Sequence, residues 1–350
     1  MQLGLGQELV EFIVTIEVAL ILFVIVLTYV TKYILYLREQ RRLKLMSEIE
    51  THFKNLVASK QPVSSQKFHR RWRKIQILYT VFVKLDQQYK SSGDWAKLKN
   101  EILQTILHPL AVRRAYSRRW VIRFFACETL GLTCTSADEK IILRLIKDRI
   151  PLVYLHAITA AIKSGSEAAI TAIIVRMSKM SWLTQNMYLE PFENAAISIR
   201  DIIEKQLKTS TDSNIRTECY KILRKFPATN ISWDIKKDLN DRQFELRLSS
   251  LKYYVYVDSN AAVPVLQEKL RDEHWEVRLV AIHRLGRLKL ASSLPDLTNC
   301  LSDSVWYVKI SAAEALKSLG AEGINAIKSH APELADIPFD SAHHVSNTLW

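Results

Sequence analysis

The sequence predicts an all-α fold: an N-terminal transmembrane helix followed by an α-solenoid of stacked helical hairpins. Three observations predict it. Residues 12–31 form the most apolar stretch of the chain, a pattern recurs at a 31-residue period toward the C-terminus, and glycine is scarce, at 8 of 350 residues. Few glycines argue against strands joined by tight turns and for helices joined by short links. A hydrophobic content of 48% excludes general disorder. The formal charge of +13 points to anionic partners, and where the charge sits decides which.

The period divides the chain into four segments. Residues 1–37 hold the tail and membrane helix, 38–108 a basic amphipathic connector, 109–325 the repeats, and 326–350 a C-terminal cap and tail.

In the first segment, sixteen of the twenty residues 12–31 are apolar, and 18–27 run without a break. Twenty helical residues rise about 30 Å, the thickness of a bilayer's hydrocarbon core. Neither a preceding cation nor a following small-residue cleavage site suggests a cleaved signal. Tyr29, Tyr33 and Tyr36 follow on one helix face, as an interfacial anchor would. Glu17 sits within the span, either snorkelling to the outer interface or pairing with another membrane helix; the snorkelling reading is preferred, since no GxxxG supports pairing. Lys32, Arg38, Arg41, Arg42 and Lys44 follow the span, whereas Glu8 and Glu11 precede it. Positive-inside asymmetry therefore predicts a single-pass protein with its N-terminus outside and all that follows residue 31 in the cytoplasm; the expected membrane is a bacterial inner membrane.

The connector carries eleven Lys and Arg against three acids between residues 38 and 74. Leu45, Ile49, Phe53 and Leu56 recur at helical spacing, so the membrane helix continues as an amphipathic one. Gln61-Pro62 breaks it. A second helix is expected from Ser65 to Lys90, with Phe68, Trp72, Ile75, Tyr79, Phe82 and Tyr89 on one stripe. Ser91-Ser92-Gly93-Asp94 ends that helix and caps the next, which carries Trp95, Leu98, Ile102 and Ile106. Arg70, Arg71, Trp72, Arg73 and Lys74 interleave basic and aromatic residues, as a nucleic-acid strand binder does. Beside an acidic leaflet, contact with anionic lipid headgroups is the better expectation.

The repeats carry the fold. An aliphatic residue stands at Ile122, Val153, Ile215, Leu246, Val277 and Val308. A basic residue follows it at Arg123, Arg216, Arg247, Arg278 and Lys309, with Tyr154 the exception. Four places on is a small residue (Ala126, Ala157, Cys219, Ser250, Ala281, Ala312), and eight on an apolar one (Leu130, Ala161, Leu223, Tyr254, Leu285, Leu316). The slot at Thr184 is degenerate. Positions 0, +4 and +8 share one helix face, and the small residue lets helices approach. A shorter helix precedes each, opening near Pro109, Pro264 and Pro295. Asp148, Asp241, Asp272 and Asp303 stand five residues before the aliphatic position. They are read as structural, capping a helix or meeting the basic residue of a neighbouring unit. A hairpin of this kind cannot bury its stripe alone, so units stack.

This D-x4-[VIL]-[RK]-x2-[small]-x3-L pattern resembles HEAT-like repeats of the kind also found in phycobilisome lyases, over about residues 109–325. The resemblance implies a curved right-handed solenoid whose second helices line a concave surface, and proteins of this kind mostly bind other macromolecules.

No phosphate-binding, dinucleotide or nucleophile-elbow motif occurs. HEAT-repeat hydroxylases hold iron with His-Glu dipeptides, which are lacking here. No cofactor or metal is expected, His343-His344 lies in an irregular tail, and Cys127, Cys134, Cys219 and Cys300 read as buried free thiols. Arg113, Arg114, Arg118, Arg119 and Arg123 surround Trp120 without an acid between residues 110 and 126, a docking site for headgroups or an acidic partner or simply a solvated face. The expectation is a non-enzymatic, membrane-tethered scaffold that binds a protein partner, such as an envelope or polysaccharide-synthesis glycosyltransferase, although no residue carries that partner's identity. The alternatives are a nucleic-acid-binding module, disfavoured because Asp241, Glu245, Asp272, Glu273 and Glu276 interrupt any basic stripe, and a lyase-type enzyme.

Overall fold

Trp120, Pro151, Trp182, Ser213, Phe244, Trp275 and Trp306 each open a helix, and each stands 31 residues after the one before. The residue ahead of each is extended, with ψ between 116° and 150°. The computed structural model describes residues 2–59, 70–228 and 230–335, without the side chains of 2–11 and 182. The predicted break at Gln61-Pro62, the positions Ser65 and Phe68, and the tail with His343-His344 lie outside them. The chain forms two compact units, which meet in sequence between Cys134 and Thr135.

The first unit opens with α1 (Gln2–Ser59). Its later turns bury Ile49, Phe53 and Leu56 against α2 (Ile75–Gln88), which contributes Ile75, Leu78, Val81, Phe82 and Leu85. Glu50 on α1 accepts from Lys54 at 2.8 Å and from Lys84 on α2 at 2.7 Å. The expected helix across 65–90 begins later, because Arg70–Trp72 form a single 3-10 turn and Arg73 and Lys74 leave it before α2 starts. Next comes α3 (Gly93–Ile102), capped by the Ser92 hydroxyl, which accepts from the Trp95 amide at 3.4 Å. Asp86 on α2 holds α3 by accepting from the Trp95 indole and from Lys99, both at 2.9 Å.

From α3 the backbone stays helical through a π turn, Leu103–Leu107, into α4 (His108–Arg114). Pro109 is the cause in physical terms: in a continuous α-helix its ring would strike the carbonyl four residues back, and a π turn relieves this locally. The proline expected to open a new helix is thus carried inside a longer one. After α4 comes α5 (Trp120–Thr133), which returns against α4 and α2. There the Tyr79 hydroxyl donates to Glu128 at 2.6 Å.

The second unit is a run of hairpins: α6 (Glu139–Ile146) with α7 (Pro151–Ser164), α8 (Glu167–Met177) with α9 (Trp182–Met187), α10 (Ile197–Thr209) with α11 (Ser213–Leu223), α12 (Lys236–Leu239) with α13 (Phe244–Val257), α14 (Val263–Lys269) with α15 (Trp275–Leu288), and α16 (Leu294–Asn299) with α17 (Trp306–Ser318). The final helix is α18 (Ala321–His330). Each of α11, α13, α15 and α17 packs on the next. The small residues at +4, from Ala126 to Ala312, are all fully buried. At +8 all are buried but Tyr254, whose neighbour Tyr253 fills the core instead. In the degenerate slot α9 is cut to six residues, and Tyr188 and Phe192 plug the core from the turns that follow. All four cysteines are buried and free; burial pushes the Cys300 thiol up to about 11.

Candidate functional site

The basic residue after the aliphatic position works as a clamp. Arg278 donates from one terminal nitrogen to the carbonyls of Asp272 and Glu273 in its own hairpin, at 2.8 and 3.2 Å, and from its other edge to both carboxylate oxygens of Asp303 at 2.7 Å. Arg247 repeats this one unit earlier with the carbonyls of Asp241 and Arg242 and with Asp272, at 2.8–3.1 Å. A guanidinium's planar fork suits such two-sided duty. Arg216 departs: its carboxylate is Asp238 on α12, reached from Nε at 2.8 Å. Asp241, the expected position, accepts instead from the Ser213 hydroxyl and the Gln243 amide. Arg123 reaches the carbonyls of Ser117 and Arg118. Lys309 stands in the last of these hairpins and, among the described residues, has no ion pair.

The aspartate at this repeat position opens the helix after it, whether or not it receives a clamp. Asp148, Asp241, Asp272 and Asp303 accept from the amide two residues on, at 2.8–3.0 Å. Ser117 and Ser210 do the same with their hydroxyls at 3.2 Å. The sequence reading missed these serines, and their place five residues before the aliphatic position is the signal that finds them, since Ser and Asp both make such turns. Burial pushes the Asp272 carboxyl up, but bonds from Arg247 and the His274 amide outweigh it, so it lies below the usual carboxylate range.

In the first unit Arg70, Arg73 and Lys74 are exposed, and Arg71 pairs with Glu48 on α1 at 3.0 Å. Trp72 differs from them. It is 8% exposed and packs on His52, with ring centroids 4.9 Å apart. It belongs to the α1–α2 core and cannot stack on a base or enter a headgroup layer, which corrects its place among the candidate binding residues. Arg113, Arg114, Arg118 and Arg119 are exposed beside Trp120, itself 43% exposed; among the described residues none of these arginines pairs with a carboxylate.

A third set escaped the sequence reading. At +6 stand Lys221 on α11, Lys252 on α13, His283 on α15 and Glu314 on α17. Arg224 at the end of α11, and Arg284 and Arg287 on α15, flank that row. Lys221 donates to Gln185 and Glu218, each at 2.7 Å. Burial, then Arg224 and Lys221, push the Lys252 ammonium down to about 8. Arg224 is lowered by burial and by Arg284, and Arg284 by burial and by Arg287. Alpha-helix axes pack about 8–10 Å apart, so α11 and α15 stand about 20 Å apart across α13. Of the acids expected to interrupt a basic stripe, Asp241, Asp272 and Glu273 precede the helices, and Glu245 and Glu276 sit in their first turns, on the faces that carry Lys252 and Arg287 further along.

Among the described residues no group of three or more His, Cys, Asp or Glu is placed to hold a metal ion. None of the curated proteins matches the chain. Among solved structures, an engineered protein aligns at 16% identity over 73% of this chain and 79% of its own, with a TM-score of 0.32. The complex of CpcE and CpcF of phycocyanin lyase from Nostoc sp. PCC7120 aligns at 16% over 65% and 93%, with a TM-score of 0.31. YibA of E. coli aligns at 15% over 73% and 98%, with a TM-score of 0.34. The family model of HEAT repeats matches residues 235–317, the stretch in which the Arg247 and Arg278 clamps repeat without insertion, so this part of the chain is built of HEAT repeats.

Proposed function

We propose that this chain is a membrane-tethered scaffold: α1 anchors it in a cytoplasmic membrane, and its repeats, on the cytoplasmic side, bind a protein partner. The observation that carries the anchor is a change along a single helix. Ile49, Phe53 and Leu56 are 0–1% exposed, whereas Phe12, Phe23 and Tyr29 of the same helix are 63–70% exposed, with apolar surface uncovered on every side from Phe12 to Leu37. A helix apolar all round needs a core or a lipid phase to cover it, and the described residues supply no cover for this stretch. Lys32, Arg38, Arg41, Arg42 and Lys44 follow directly, which supports the inward orientation of the repeats. The exposed cations Arg70, Arg73, Lys74, Arg113, Arg114, Arg118 and Arg119 suit anionic headgroups at that face, at about 1 kcal/mol per residue close to the surface.

Membrane fractionation tests the anchor. The full chain is expected to stay with the membrane through an alkaline carbonate wash, and the chain without residues 1–37 to be released. Full-length protein in the wash would end the tether reading. Crosslinking in the native membrane, read by mass spectrometry, tests the scaffold role: a partner captured by the full chain is expected to be lost with residues 1–37.

A further inference from the structure

The apolar stretch of α1 has two different sides. Glu17, Ile21, Val24, Thr28 and Thr31 follow one another at alternating intervals of four and three residues. At about 100° per residue all five lie within about 40° of one line along the helix, the spacing of a seam between two helices. Tyr29, Tyr33, Tyr36 and Thr15 lie on the other side, about 100–160° round from that line. The helix runs unbroken from Gln2 to Ser59, so no kink separates the five, and all five are exposed.

We propose that the Glu17, Ile21, Val24, Thr28 and Thr31 face of α1 pairs with a transmembrane helix of another protein, one that carries a lysine or arginine at the depth of Glu17. This names the partner class for the scaffold above and rests on its membrane tether.

Glu17 is too deep to reach water. It stands five residues inside Phe12, about 8 Å below the outer edge of the hydrocarbon. A count from the other side agrees. Fifteen residues separate it from Lys32, a rise of about 22 Å. With Lys32 at the inner edge of a core about 30 Å thick, Glu17 is again about 8 Å inside. Long lysine and arginine stems cover such a depth, but the two methylenes of a glutamate fall short, so the snorkelling expectation gives way. Ionisable side chains at that depth face other helices and pair with them.

The rest of the face suits close packing. Ile21, Val24, Thr28 and Thr31 are β-branched, with χ1 already restricted in a helix, so packing costs them little entropy. The Thr28 and Thr31 hydroxyls donate to the Val24 and Leu27 carbonyls at 2.8 and 2.7 Å, which leaves their oxygens as acceptors for a donor on the facing helix.

Charge decides the occupant. A second copy in the same orientation would set Glu17 against Glu17 at one depth, where like charges repel. Among the described residues the chain has one helix long and apolar enough to span a membrane, so no second span of its own offers a counter-charge. A cation on another protein's helix completes the pair.

The test uses the full chain in phosphatidylcholine vesicles, with a donor fluorophore at its N-terminus, and synthetic Leu-Ala peptides long enough to span, with an acceptor at one end. One peptide carries a lysine at the depth of Glu17 and the other a leucine there. Energy transfer to the lysine peptide is expected to reach its half-maximum at an about tenfold lower peptide-to-lipid ratio than transfer to the leucine peptide. Glu17→Leu should abolish that difference, and it makes the span more apolar, so the helix stays inserted. Glu17→Leu/Thr15→Glu, which moves the carboxylate to the other side of the helix, should not restore it; full restoration would show that charge without the face selects the partner, and would overturn the proposal. Equal transfer from the parent to both peptides overturns it too, as does tighter association between two copies of the chain than with the lysine peptide. An alkaline carbonate wash of the same vesicles reads the tether separately: a chain that washes off loses the tether and the pairing with it, whereas a retained chain that treats the two peptides alike loses the pairing alone.

Discussion

Arg278 reaches out of its own hairpin to Asp303 of the next, with Nε and a terminal nitrogen each 2.7 Å from a carboxylate oxygen. The same arginine holds two carbonyls of the loop it leaves, and the same aspartate holds the Val305 amide that opens α17. One bond set therefore fixes a loop, a helix start and the joint between two units. Its recurrence at Arg247 and Asp272 ties the step of the stack to a residue pair rather than to apolar contact alone.

Arg278→Ala should destabilise the second unit strongly. Both partners are only 12% exposed in their side chains, so removing the arginine leaves a carboxylate and two carbonyls short of donors. A loss of about 2–4 kcal/mol is expected. Arg278→Lys should recover part of it, since an ammonium cannot serve both edges at once. Urea unfolding followed by circular dichroism measures this, and a midpoint unchanged within error for the alanine variant would show the clamp to be ornamental.

Acid should loosen the same joints. The Asp272 carboxyl is held below its ordinary range in the fold, so its contribution is fully present above the unfolded value of about 3.9 and is lost as pH falls through the folded one. Stability should therefore drop below about pH 4, and Asp272→Asn should flatten that part of the profile. A variant with the parent's acid limb would show that other carboxylates set it.

The repeat was legible in the sequence because each hairpin spends the same number of residues, so period and structure share one register. Even Trp182, in a slot whose motif has decayed, opens a helix on the expected residue. The π turn before Pro109 was not legible, because a proline reads equally as a helix start and as a fault absorbed within one. Trp72 was read both on the apolar stripe and among the basic binders; its burial from a 3-10 turn bears out the first, while its basic neighbours face solvent. Lys252 and Arg224 were passed over because a charged residue in a helix reads as solvated, and only the stacking of neighbouring helices half-buries them.

Lys252 should make the second unit more stable in mild alkali. Burial, then Arg224 and Lys221, bring its ammonium down to about 8, against about 10.4 in an unfolded chain. Between those values the unfolded state binds more protons than the folded one, so stability rises with pH across that window. Lys252→Met should remove the rise and raise stability at neutral pH, because it deletes a charge the fold disfavours. Unfolding curves across pH 7–10.5 provide the check; a lysine variant that is destabilised at pH 7 would mean that its ammonium is a needed partner there.

Gly286 sets how closely α15 and α17 approach. A Cβ there would stand 2.8 Å from the Ala315 Cβ and 3.0 Å from its Cα, and the Ser318 hydroxyl donates across the gap to the Gly286 carbonyl at 2.9 Å. Two effects of Gly286→Ala oppose each other. Helix propensity favours alanine by about 1 kcal/mol, whereas overpacking costs about 1–3 kcal/mol. The obstruction includes backbone that cannot rotate away, so overpacking should win and the variant should be less stable. Gly93→Ala is the contrast, since a Cβ there meets nothing within 4 Å and propensity acts alone. Ala315→Gly added to Gly286→Ala should restore part of the loss by removing the nearer of the two atoms. If Gly286→Ala proved as harmless as Gly93→Ala, the close approach of the two helices would not be a constraint on this sequence.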